Sequence, residues 1–296
     1  MGDRLKGRAA LVTGSGNGIG KAIAQLLASE GASVVVNDLG TDEYGTGKNS
    51  AAADETVAEI LAAGGTAVAN YDSVAESAGC ARAVHTAVDA FGSCDIVIGN
   101  AGAMLGGRLD ATDDNWSRLL DLFLSQKFWL AREAVPAMLE KGWGRVIFTT
   151  SEIARGKQAM PLAAAVFGGN IALARDLAHQ HRGSGVTFNC FAPGAATRLH
   201  ALATAHFEGL KTGAISEEDA KGYLSLPPSE FVAPMVAWLC SDAASDVTGE
   251  VFRASGGNVT RWSSYEDRQS LTRGGGTEAP WTLDELDALV PKLLLD

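Results

Sequence analysis

The run Thr13-Gly14-Ser15-Gly16-Asn17-Gly18-Ile19-Gly20 carries four glycines in eight residues. An apolar stretch, Ala9 to Val12, precedes it, and a helical pattern, Lys21 to Glu30, follows. Strand, glycine turn and helix in that order make a site for a diphosphate. Gly14 permits the tight turn, where a Cβ would clash. Gly18 lets the backbone approach the phosphates, and Gly20 lets the helix pack closely on the strand. Free N–H groups and the positive dipole end of the helix then face the anion. Ser33 to Asp38 is a short β-branched run ending in a carboxylate. Asp38 lies about 20 residues past the loop, where an acid accepts hydrogen bonds from an adenosine ribose. The same charge repels a 2′-phosphate, so NAD is expected rather than NADP.

Acid, base and nucleophile candidates are sparser. Ser151 ends the apolar run Arg145–Thr150 and is followed closely by Glu152, Arg155 and Lys157. His200 and His206 fall in a long mixed segment, where an imidazole could exchange protons near neutral pH. Solvated loop charges are the simpler reading of all five. His179 and His181 sit at a helix end and suit its negative dipole. The string Tyr44-Gly45-Thr46-Gly47-Lys48 reads as a coincidence in a solvated loop. Cys80, Cys94, Cys190 and Cys240 are widely spaced and form no CxxC pair, so reduced buried thiols are expected and a metal is not.

These residues need a scaffold that presents strand ends side by side. Seven β-rich runs recur: Ala9–Thr13, Ser33–Asp38, Ala67–Asn70, Asp95–Gly99, Arg145–Thr150, Val186–Ala192 and Val251–Ala254. Helical patterns separate them over 20–30, 50–63, 74–91, 113–141, 162–180 and 229–240. The alternation predicts an α/β, Rossmann-like, doubly wound parallel sheet of about seven strands, with helices on both faces. Residues 1–259 form the dinucleotide-binding domain. Within it, residues 194–228 follow a strand's carboxyl end and read as a lid over the substrate. Residues 260–296 form a C-terminal extension, with a loose stretch at Arg273–Gly276 and an amphipathic helix from Thr282 to Val290 that Pro291 should stop. Ser73 with Glu76, and Thr282 with Glu285, fit capping boxes.

Taken together, these motifs resemble the short-chain dehydrogenase/reductase superfamily over about residues 6–260. Its TGxxxGxG loop stands as Thr13 to Gly20, including Ser15, Asn17 and Ile19. Its NNAG motif stands as Gly99-Asn100-Ala101-Gly102. Asp72, followed by Ser73, matches its adenine-contacting acid, and Pro193-Gly194 with Thr197 matches its PGxxT cofactor segment. The stretches Val34–Gly40 and Val68–Val74 resemble the dehydrogenase domain of peroxisomal multifunctional enzymes, which act on 3-hydroxyacyl-CoA thioesters or 17β-hydroxysteroids. The resemblance also implies a Ser–Tyr–Lys site with an Asn behind it, and here the chain departs. Ser151 is in place. The position thirteen residues on is Ala164, and four further on is Gly168, where the family has Tyr and Lys. Phe123 stands where the Asn belongs. No tyrosine occurs between Tyr71 and Tyr223, so no shifted alignment restores the pair.

A missing general acid/base removes about 10²–10⁴-fold in rate. Lost lysine hydrogen bonds to the ribose weaken NAD by about 1.5–3 kcal/mol. Three functions follow in order of preference. The first is a non-catalytic subunit that keeps the NAD site and forms a homo-oligomer, or a hetero-oligomer with an active paralogue. The second is non-standard chemistry on an acyl-CoA or polycyclic ligand through Ser151. The third is ordinary NAD-dependent oxidation of a hydroxyacyl-CoA or hydroxysteroid. The small helix Leu162–Asn170, with Gly168 and Gly169, would keep a packing surface for a subunit or enlarge the pocket. A net charge of −11 argues against nucleic acid and anionic membranes as partners. No apolar run reaches membrane-spanning length, and Met1 to Lys6 lacks a signal core, so a cytoplasmic protein is expected.

Overall fold

The chain is described by a computed structural model over residues 2–199, 226–265, 269–271 and 280–293. Among these residues the strands are β1 (Ala9–Thr13), β2 (Ser33–Asn37), β3 (Thr66–Asn70), β4 (Ile96–Gly99), β5 (Gly144–Thr149), β6 (Val186–Pro193), β7 (Val251–Ser255) and β8 (Asn258–Arg261). They form one sheet in the order β3-β2-β1-β4-β5-β6-β7-β8. The first seven are parallel, and the sequence reading located all seven within a residue or two. The eighth pairs antiparallel with β7, Ala254 opposite Val259. Its four residues are all exposed, so no buried apolar run marked it.

Alternate residues of each strand face opposite layers. Ala10 and Val12 of β1 pack with Val34, Val36, Ile96 and Ile98 under α1 (Gly18–Ser29), α2 (Ala51–Ala62) and α7 (Ala233–Cys240). Leu11 points the other way, joining Val35, Val97, Val146 and Phe148 under α3 (Ser77–Phe91), α5 (Gln126–Lys141) and α6 (Pro161–Gln180). Full burial of each such side chain is worth about 1.5–3 kcal/mol.

Three helix expectations need correction. The pattern over 113–141 is not one regular helix: α4 (Asp113–Leu120) passes into a π-helical turn, Asp121–Ser125, before α5. Helix α3 starts at Ser77, and its N-cap is Glu76 without a side-chain cap, so Ser73 and Glu76 form no capping box. Val74, held in the core and hydrogen-bonded through its carbonyl to the Cys80 thiol, keeps the preceding turn out of the helix.

Contact density divides the chain into two compact units, Met1–Trp262 and Ser263–Asp296. In the second, α8 (Leu283–Leu293) continues through Pro291, against the expected stop. The missing N–H falls in the last turn, where only one intrahelical bond is lost. Its capping box forms as read: Glu285 N donates to Thr282 Oγ1 at 3.3 Å, and Thr282 N to Glu285 Oε2 at 2.9 Å. Arg273–Gly276 lies outside the described residues.

Candidate active site

Between β1 and β4 the strand order reverses, and the carboxyl ends of the strands open on a cleft of about 740 Å³. At its floor the glycine loop is built by close approach. Gly14 has φ +64°, and a Cβ there would lie 2.7 Å from Ala101 Cα. Asn100 braces the loop through Nδ2 bonds to the carbonyls of Thr13 (3.0 Å) and Gly14 (3.3 Å). Thr13 Oγ1 in turn accepts from the N–H groups of Asn100 (2.9 Å) and Ala101 (3.0 Å).

Helix α1 starts at Gly18 with Asn17 as its N-cap, and the Asn17 side chain makes no cap bond. The first-turn N–H groups are therefore left for an anion in the cleft. Asp38 is held by two backbone donors, Gly16 N on Oδ2 (2.8 Å) and Gly40 N on Oδ1 (2.7 Å). A carboxylate has about four acceptor positions, so two stay open toward a ribose. Asp72 is fixed by Arg82 Nε at 2.6 Å and Asn70 Nδ2 at 2.9 Å. A glycine cradle, a bare helix start and a placed carboxylate fit a dinucleotide.

The cleft wall includes Gly14, Asn17, Gly18, Ile19, Gly20, Asp38, Asp72, Ser73, Asn100, Ala101, Gly102, Pro193, Gly194 and Thr197. Ser15 is the exception among the expected cofactor residues. It is fully buried beneath the loop, with its hydroxyl on the Val12 carbonyl at 2.7 Å. Ser15 shapes the turn from below.

At the other end, Ser151 lines the cleft and caps the short 3₁₀ turn Glu152–Arg155, accepting from Ile153 N at 3.3 Å. Phe123, in the π turn, also lines it and meets Phe167 edge-on at 5.1 Å. Ala164 and Gly168 put no side chain into the cleft. A Cβ on Gly168 would meet nothing within 4 Å, so the space for a longer residue is open.

Glu152 is no free loop charge. It lines the cleft and pairs with Arg253 Nε at 2.8 Å. The loop carrying Tyr44 and Lys48 leaves both side chains exposed, as read, yet its backbone is strapped across the cleft edge. Met104 N donates to the Glu43 carbonyl at 2.8 Å, and Arg118 to the Tyr44 carbonyl at 3.1 Å. Of the expected lid, residues 194–199 and 226–228 are described and border the cleft in part. His200 and His206 lie outside the described residues.

The profile of the short chain dehydrogenase family matches residues 8–204. The chain belongs to that family. A short-chain type dehydrogenase/reductase of Mycobacterium tuberculosis is 39% identical over 259 residues, covering 87% of this chain and 85% of that protein. Mouse peroxisomal multifunctional enzyme type 2 is 36% identical over 263 residues, covering 88% of this chain. That match takes in 33% of the mouse protein, so the chain spans about a third of it. A short chain dehydrogenase from Mycobacterium avium superposes with a TM-score of 0.77 at 30% identity, over 98% of this chain and 95% of that one. A 7α-hydroxysteroid dehydrogenase solved with NADH and 7-oxo glycochenodeoxycholic acid gives 0.71 at 30% identity, over 86% and 95%.

Sequence reasoning overlooked Lys127. It follows the π turn, is 1% exposed, and lines the cleft of this short-chain dehydrogenase relative. A signal existed in the family motif, where Gly99 replaces an Asn. The Lys127 stem fills that room: a Cβ on Gly99 would lie 3.2 Å from its Cδ. Burial pushes the ammonium pKa down to about 7.

Proposed function

We propose that this chain binds NAD and does not by itself run the dehydrogenase reaction of its family, serving instead as a nucleotide-holding subunit in an oligomer. One observation carries the reading. The cleft keeps the glycine loop, the bare α1 start and Asp38, while Ala164 and Gly168 bring no acid, base or ribose donor to its other half. When bound, NAD would supply a hydride-accepting ring. Asp38, the α1 N-terminus and the Asn100-braced loop would hold it, and Ser151 would present a hydroxyl. A serine hydroxyl does not by itself deprotonate a carbinol near pH 7, and the adjacent Glu152 is engaged by Arg253. Assembly with a second copy or with an active family member fits the loss of chemistry beside a kept scaffold.

The test joins calorimetry to kinetics. NAD should bind the purified chain, and absorbance at the NADH wavelength should stay flat over hydroxyacyl-CoA and hydroxysteroid panels. Sedimentation should show a species larger than the monomer, alone or with an active family member added. A turnover near 10 s⁻¹, about the median for enzymes, would overturn the reading, as would absence of nucleotide binding.

A further inference from the structure

Among the described residues, three charged side chains are buried to within about 1% of full, and two of them are partnered. Asp95 accepts from Ala9 N at 3.0 Å and Ser93 at 2.9 Å and pairs with Lys141 at 2.5 Å. Arg145 donates to the carbonyls of Gly144 (2.9 Å) and Gly185 (3.1 Å) and stacks on Trp143 at 4.3 Å. Lys127 is different. Its Nζ has one long bond, to Gln126 Oε1 at 3.4 Å, and no carboxylate within ion-pair distance among the described residues.

Its surroundings do not neutralise it. Cys80 on α3 and Cys190 on β6 face it, and both thiols are pushed up to about 12 by burial, so both are uncharged. Gly99 on β4 lies against its stem. On α6, Asn170 accepts the Cys190 thiol through its carbonyl, and its own Oδ1 is buried without a partner. The charges beyond are Arg132 and Glu133, paired to each other near Cys80, and Arg175 near Cys190.

The position matters for a dinucleotide. Asp38 follows β2, Gly18 follows β1, and the Lys127 stem packs against Gly99 at the end of β4. Neighbouring strands lie about 4.8 Å apart. A nucleotide anchored at Asp38 with its diphosphate at Gly18 would therefore extend its nicotinamide half toward the ends of β4 and β5, on the side of the cleft that Lys127 lines. The oxidised ring is a cation, and the reduced ring is neutral.

We infer that Lys127 is a specificity residue for the redox form of the nucleotide: its buried ammonium disfavours NAD⁺ and leaves NADH unaffected, so the cleft selects the reduced form. This rests on the nucleotide-binding reading above. It gives a protein without dehydrogenase side chains a defined ligand, NADH that it holds without consuming. The selection weakens as pH rises and the amine loses its proton.

Calorimetry with NAD⁺, NADH and ADP-ribose at about pH 6 and about pH 8.5 brackets that loss. The ratio of the NAD⁺ to the NADH dissociation constant should fall on the order of tenfold between the two, as one nearby charge in a partly desolvated site would give. ADP-ribose, which lacks the ring, should bind equally at both. In Lys127→Met the ratio should be flat and near its alkaline value. A wild-type ratio that does not change overturns the inference while leaving nucleotide binding standing. So does a variant that keeps the change, or an ADP-ribose affinity that moves with that of NAD⁺. Failure of all three ligands to bind overturns the nucleotide reading, and this inference with it.

Discussion

A buried ammonium without a counter-ion costs stability, and Lys127 should show that cost directly. Its folded pKa, lowered by burial to about 7, lies below the unfolded value near 10.4. Between those values the unfolded chain binds the extra proton, so stability rises with pH there. Below about 7 both states are charged, and the penalty is fully present. Lys127→Met should therefore raise the melting temperature, by more at pH 7 than at pH 10, in paired thermal melts. An equal increment at both would place the lysine's cost elsewhere. This residue could not be found by motif. A lysine between Gln126 and Phe128 on a helical pattern reads as a solvated face, and only the packing over Gly99 puts it inside. Ser15 fails in the opposite sense. It stands within the motif, but the loop's path turns its hydroxyl toward the Val12 carbonyl.

Elements were the most legible scale. Runs such as Val34-Val35-Val36, apolar and β-branched, have no stable place except a strand covered on both faces, and that is where they lie. Boundaries set by tertiary contacts were not legible. The π turn at Asp121–Ser125 carries Phe123 to the cleft, yet the periodicity around it differs little from that of an ordinary helix. The start of α3 was misplaced because the burial of Val74 outweighs a local Ser–Glu cap. Closeness between β1 and α1 rests on Gly20, whose Cβ would stand 2.1 Å from the Gly14 carbonyl oxygen. Backbone on both sides cannot yield to that. Gly20→Ala should cost about 1–3 kcal/mol or more, as overpacking does, read as a lowered midpoint in urea. A midpoint unchanged from the parent would show that helix and strand can separate without loss.

For the whole molecule, the family was readable from four motifs, because a dinucleotide fold commits many positions at once. The kind of activity was less readable, since it turns on a few side chains, and the sequence carries Phe123, Ala164 and Gly168 where the resemblance implies Asn, Tyr and Lys. Among the described residues no helix is long and apolar enough to cross a membrane, and no group of His, Cys, Asp and Glu could hold a metal. The four cysteines are free and buried as expected, and burial holds all four thiols up at about 12.

Those thiols amount to a set of silent reporters. Cys240 belongs to the layer under α1 and α7, whereas Cys80, Cys94 and Cys190 belong to the opposite layer. None can be alkylated until its own layer opens. Brief exposure to iodoacetamide in rising urea, followed by peptide mass mapping, should leave the native chain unlabelled and then record when each layer opens. Simultaneous labelling of all four would mean a single cooperative opening. Earlier labelling of Cys240 would mean that the layer bearing the nucleotide helix opens first.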